Sequence, residues 1–118
     1  MFTNNLKENT ERLLSRCRRL SLKISTAESC TGGLISSCIT ACQGSSSVFE
    51  RGYIAYSNEA KEELLDVSLT TLQSFGAVSS EVAIEMAKGA LINAKSNLAL
   101  AVTGVAGPGG GTSLKPVG

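Results

Sequence analysis

The stretch with the most chemistry in it is Ser25-Thr26-Ala27-Glu28-Ser29-Cys30-Thr31-Gly32-Gly33, where an apolar, strand-forming run turns a polar corner towards a helix. A small hydroxyl residue between a strand end and a helix start sits where oriented backbone N–H groups gather. That place suits a nucleophile beside an oxyanion hole or a bound phosphate. It equally suits an N-capping Ser or Thr followed by glycines that make a tight turn. The chain has no histidine, so acid–base chemistry falls to Lys, Tyr, Glu, Asp or Cys. Lys61 is the informative candidate. With Asn58 as N-cap it falls in a first helical turn, where the helix dipole disfavours its charge. Partial burial would lower its pKa further, as a lysine general base requires. Its alternative is a solvated lysine beside Glu62 and Glu63.

Metal and redox chemistry find little support. The four cysteines, Cys17, Cys30, Cys38 and Cys42, contain no C-x-x-C pair, and their uneven spacing does not resemble a structural zinc site. Cys38 and Cys42 share a helical face and read as small apolar residues. A net charge of +1 leaves no basic excess for a nucleic-acid footprint. The Arg16, Arg18, Arg19 and Lys23 cluster reads as a solvated helix face. The amino-terminal stretch is polar and no apolar run reaches the length of a membrane span. Reduced thiols then fit the cytoplasm.

The elements that must position these residues follow from periodicity. Leu6, Leu13, Leu14, Cys17 and Leu20 predict an amphipathic helix from Asn4 to Leu20. Leu22 to Ala27 is a first strand, and Gly33 to Cys42, apolar on most of its surface, a buried helix. Gly44 stops it before a serine-rich loop. Val48 to Tyr56 is a second strand. Short helices follow over Glu59–Leu65 and Ser68–Phe75. Ser79-Ser80-Glu81 is an N-cap signature for a helix to Ala94. Leu98 to Val102 is a third strand, small and apolar enough to be covered on both faces. Strands alternating with helices predict one α/β domain, a three-layer α/β/α sandwich around a mostly parallel sheet, with an antiparallel pairing left open.

Two polar loops, Glu28–Gly33 and Thr103–Thr112, follow apolar strands, and ligand sites of open α/β sheets lie outside strand carboxyl ends. Tyr56-Ser57-Asn58-Glu59-Ala60-Lys61 is a third polar group between a strand and a helix. The glycines from Gly107 to Gly111 form neither a Walker A motif nor a dinucleotide fingerprint. Alone they read as a ligand loop or as a flexible connection.

Together these stretches resemble the C-terminal domain of the competence/damage-inducible protein CinA, whose members include nicotinamide-nucleotide amidohydrolases. The resemblance rests on Thr26 to Gly33, Gly44-Ser45-Ser46, Phe49-Glu50-Arg51-Gly52-Tyr53 and Tyr56 to Lys61. It continues through Gly76-Ala77-Val78-Ser79, Thr103 to Gly110 and Lys115-Pro116-Val117-Gly118. It implies hydrolysis of a carboxamide: nicotinamide mononucleotide becomes nicotinic acid mononucleotide and ammonia. Ser29 would be the nucleophile, Lys61 its proton acceptor, and Tyr56 an orienting group or proton relay. N–H groups near Thr31, Gly32 and Gly33 would hold the oxyanion. The phosphate would lie at Ser45 and Ser46, or at Thr103, Gly104 and Gly107. Glu28 would hold the amide nitrogen or only cap its neighbours. No metal or cofactor is implied, and the partner is a small nucleotide, with self-association left open. The family's domain continues past Lys115-Pro116-Val117-Gly118 with a further strand and helix, so a C-terminally shortened, stand-alone domain is expected. The alternative reading is a catalytically silent nucleotide- or partner-binding module.

Overall fold

A computed structural model describes residues 1–118. Helix α1 (Asn4–Leu20) starts where Thr3 Oγ1 accepts the Leu6 N–H at 3.2 Å and ends on a left-handed Ser21. There follow β1 (Ile24–Glu28), α2 (Leu34–Thr40), a 3₁₀ turn (Ser45–Ser47) and β2 (Phe49–Ile54). Helices α3 (Asn58–Leu65), α4 (Leu69–Phe75) and α5 (Ser80–Ala94) then lead to β3 (Leu98–Val102). The sheet order is β2-β1-β3 and both pairings are parallel, which closes the antiparallel option.

Strand β1 sits in the middle, and alternation along it divides the molecule. Ile24, Thr26 and Glu28 face α1 and α2; Ser25, Ala27 and Ser29 face α3 and α5. Ile24 accordingly packs in a core with Leu14, Cys17, Ile39, Cys42 and Val48. Ala27 belongs to the other core, with Leu65, Leu72, Val82, Met86 and Ala90. In that second core α3 and α5 touch backbone to backbone. A Cβ on Gly89 would collide with the Leu65 carbonyl, so glycine is what lets α3 lie this close.

Two expectations change. Helix α2 is shorter than predicted and only half covered: Cys38 and Ile39 are buried while Leu34 is 51% exposed. Strand β3 is covered on one face only. Ala99 and Ala101 pack on the α5 side, whereas Leu98 and Leu100 on the other face are 42% and 46% exposed. An apolar strand signals tolerance of burial on both faces, not its occurrence.

Candidate active site

The chain leaves β1 to build β2 on one side and then returns to build β3 on the other. The carboxyl end of β1 is therefore the switch point of the sheet, where a crevice opens in this architecture. Ser29 is the residue that follows. Its N–H donates to the Val102 carbonyl at 2.9 Å, so the end of β3 holds it in place, and the preceding Glu28 carbonyl accepts the Ala55 N–H at 2.8 Å on the β2 side.

Lys61 reaches Ser29 from α3. Ser57, one residue earlier than predicted, is the N-cap, and its Oγ accepts the Ala60 N–H at 3.0 Å. Lys61 still lies near the helix start and points inward. Its Nζ is 3.1 Å from Ser29 Oγ and donates to the Tyr56 carbonyl at 2.8 Å. Only 1% of Lys61 is exposed, and no carboxylate pairs with it: the sole ion pair, Arg51–Glu50, lies on the surface. Burial pushes the Lys61 pKa down, opposed in part by the Cys30 thiol. The direction agrees with the expectation, and of the two causes expected it is burial that lowers the value.

The neighbouring Glu28 faces the opposite way. It is buried, and its Oε1 accepts the N–H groups of Gly33 at 3.2 Å and Ile35 at 2.9 Å. Its Oε2 accepts the Ser36 N–H at 3.0 Å and the Ser36 hydroxyl at 2.6 Å. Burial alone would raise the Glu28 pKa. The donors, led by the Ser36 hydroxyl, outweigh burial and hold it below the ordinary carboxylate value. Glu28 therefore caps α2, and its oxygens are committed away from any substrate amide.

The backbone donors around Ser29 can be accounted for one by one. Gly32 donates to the Ser29 carbonyl, Leu34 to the Thr31 carbonyl, and Gly33, Ile35 and Ser36 to Glu28. The N–H groups of Cys30 and Thr31 alone in this turn have no partner. Of the expected donors near Thr31, Gly32 and Gly33, only the Thr31 N–H is therefore free, together with that of Cys30. The Thr31 hydroxyl is buried and also lacks a hydrogen bond.

Thr103 and Gly104 follow β3 at the same end of the sheet. Gly104 passes Cys30 Sγ closely enough that a Cβ would lie 3.3 Å from it. The Thr103 hydroxyl donates to the Ala77 carbonyl at 2.9 Å, and the Thr103 and Gly104 N–H groups are free. Gly107, further along, is wedged against Val117. Ser45 and Ser46 are not brought here. They precede β2, whose first residue pairs with Ile24, so the full length of β1 separates them from Ser29. Tyr56 contributes its carbonyl, while its side chain is 73% exposed and makes no hydrogen bond. Sequence reasoning missed Thr26, Ser36 and Gly52, which surround Glu28; two small hydroxyls and a glycine carry no signal of their own.

Comparison with known proteins completes the picture. The family model for the CinA C-terminal domain matches residues 6–118. The CinA-like protein of Colwellia psychrerythraea is 52% identical over 112 residues, 95% of this chain. That of Kosmotoga olearia is 55% identical over 108 residues, 92% of this chain. The chain spans 26% of the length of each of these curated relatives. The crystal structure of the competence/damage inducible protein CihA from Agrobacterium tumefaciens superposes with a TM-score of 0.92 at 48% identity. It covers 99% of this chain, which spans 71% of it. A CinA superfamily protein from Escherichia coli superposes at 0.91 with 34% identity, over 99% of this chain and 69% of its own.

Proposed function

The chain belongs to the CinA C-terminal domain family, and from that premise we propose that it is an amidohydrolase in which Ser29 attacks a carboxamide with Lys61 as its base. The observation that carries this reading is a buried lysine, without a carboxylate partner, 3.1 Å from a serine at the switch point of the sheet. A neutral Lys61 amine donates one N–H to the Tyr56 carbonyl and offers its lone pair to the Ser29 hydroxyl. Ser29 Oγ bonds to the amide carbon as its proton passes to Lys61. The oxygen that gains charge meets the free N–H groups of Cys30 and Thr31. Lys61 then returns the proton to the departing nitrogen, ammonia leaves, and water hydrolyses the acyl-serine.

The substrate proposed is a nicotinamide nucleotide, nicotinamide mononucleotide above all, which the family resemblance suggests. Its phosphate is best served on the β3 side. A cavity of about 410 Å³ lies there, lined by Ser79, Thr103, Gly104 and Lys115 among others. The half-buried Lys115 ammonium and the free Thr103 and Gly104 N–H groups suit an anion. The Tyr56 phenol, 73% exposed and without a hydrogen bond, is left out of the proposed proton path.

One observation favours a second reading, a nucleotide-binding module without turnover. Ser29 is 6% exposed and lines neither that cavity nor the apolar one beside Thr31. The discriminating experiment is ammonia release from nicotinamide mononucleotide by the wild-type chain and by Ser29→Ala. Release that disappears in the variant supports the amidohydrolase. Binding of the nucleotide by a folded, silent wild type supports the module.

A further inference from the structure

We propose that Glu28 is a positioning residue for Ser29: a buried internal anion that ties the turn after β1 to α2 and leaves Cys30 and Thr31 as the free N–H donors beside the nucleophile. The inference rests on the amidohydrolase reading for its kinetic consequence and on geometry for the rest. Glu28 and Ser29 are adjacent on one strand end, so fixing the carboxylate fixes the direction of the serine. The carboxylate is fixed by four hydrogen bonds from Gly33, Ile35 and both groups of Ser36. An isolated carboxylate would not stay ionised at 1% exposure without such donors.

The arrangement reaches beyond the turn. Ser36 has one hydroxyl proton, and it is spent on Glu28. Thr26 Oγ1, 2.8 Å from Ser36 Oγ, must then be the donor in that contact. Thr26, Ser36 and Glu28 form a directed chain, each hydroxyl donating towards the carboxylate. Gly52 of β2 closes over it, because a Cβ there would strike both Thr26 Oγ1 and Ser36 Oγ. A glycine one strand away from the nucleophile thereby becomes part of the same device. The consequence is economy of donors: the carboxylate uses those at the start of α2, and the Cys30 and Thr31 N–H groups beside Ser29 remain free.

The test uses the full chain with Glu28→Gln, Ser36→Ala and Gly52→Ala, each first checked for cooperative melting. With nicotinamide mononucleotide, Glu28→Gln should lower kcat at least about tenfold with KM held within about twofold, since a misaimed nucleophile loses transition-state contacts only. Ser36→Ala and Gly52→Ala should shift kcat the same way, by less. An unchanged kcat in folded Glu28→Gln, or a change confined to KM, overturns the proposal. If Glu28→Gln does not fold, Ser36→Ala decides by the same criterion. An arm independent of turnover is the carbon-13 titration of the Glu28 carboxyl. Titration below the ordinary glutamate value of 4.5 supports the internal anion; titration at or above it overturns it. A silent wild type with a depressed Glu28 would contradict the amidohydrolase and leave the internal anion standing.

Discussion

The two faces of β1 treat adjacent residues in opposite ways. On the α2 side, Glu28 is an acid with every oxygen satisfied and its pKa held down. On the α3 side, Lys61 is a base with no counter-charge, and burial depresses its pKa as well. Both shifts are downward, yet they mean different things. The carboxylate is stabilised in its charged form, whereas the ammonium is destabilised in its own. The first side holds its charge, and the second, on the proposed reading, exchanges a proton. The buried acid and the serine that the buried lysine contacts are thus separated by one peptide unit and a change of face.

The largest effect expected from breaking this contrast is on Lys61. Lys61→Met should reduce turnover by about 10²–10⁴-fold, the usual range for a proton-transfer group. It should also raise the melting midpoint, because burying an amine that is charged in the unfolded chain, with no carboxylate to pair it, costs stability. Loss of activity accompanied by a lower midpoint would mean that Lys61 is structural. The pH dependence follows with a definite sign. In the window between the lowered folded-state pKa and the ordinary lysine value of 10.5, the unfolded chain holds a proton that the folded chain has released. Stability contributed by this group therefore rises with pH through that window, and the turnover rate should rise through the lowered pKa. Lys61→Met should lose that part of the stability curve.

Next comes the packing that delivers Lys61. Gly89→Ala pushes a methyl into the Leu65 carbonyl and should cost about 1–3 kcal/mol, read by denaturant melting. Because it moves α3 and leaves α2 alone, its residual activity should fall more than its stability predicts. The smallest effect belongs to Thr31→Val. Its hydroxyl is buried without a partner, so replacing it with a methyl group should leave stability unchanged or raise it slightly and leave the free Thr31 N–H in place. A large loss of activity in Thr31→Val would give the hydroxyl a role that the turn's hydrogen bonds do not.

Much of this frame was legible from the sequence. Helix α1 and strand β3 lie where periodicity put them, since sustained patterns of 3.6 and uninterrupted short apolar runs leave few alternatives. Local signals also placed Ser29 at a strand end and Lys61 near a helix start. What they could not give was depth. Lysine is so seldom buried that Glu62 and Glu63 made a solvated reading natural, and only the approach of α3 to β1 reverses it. The distance of Ser45 and Ser46 from Ser29 turned on strand direction: once β1 and β2 are parallel, a loop entering β2 lies at the opposite end of the sheet. Glu28 was ambiguous because its partners, Ser36 and Thr26, lie eight residues ahead and two behind, joined only by the turn. The open face of β3 was hidden for a plainer reason: composition says what a surface tolerates, not what covers it.

The most direct test is to quench the reaction with nicotinamide mononucleotide in acid and weigh the peptide that carries Ser29. The account predicts an ester adduct of the nucleotide's acyl group on Ser29 in the wild type, and none in Ser29→Ala, which should also release no ammonia. Ammonia release with no adduct in the wild type and an undiminished rate in Ser29→Ala would contradict it.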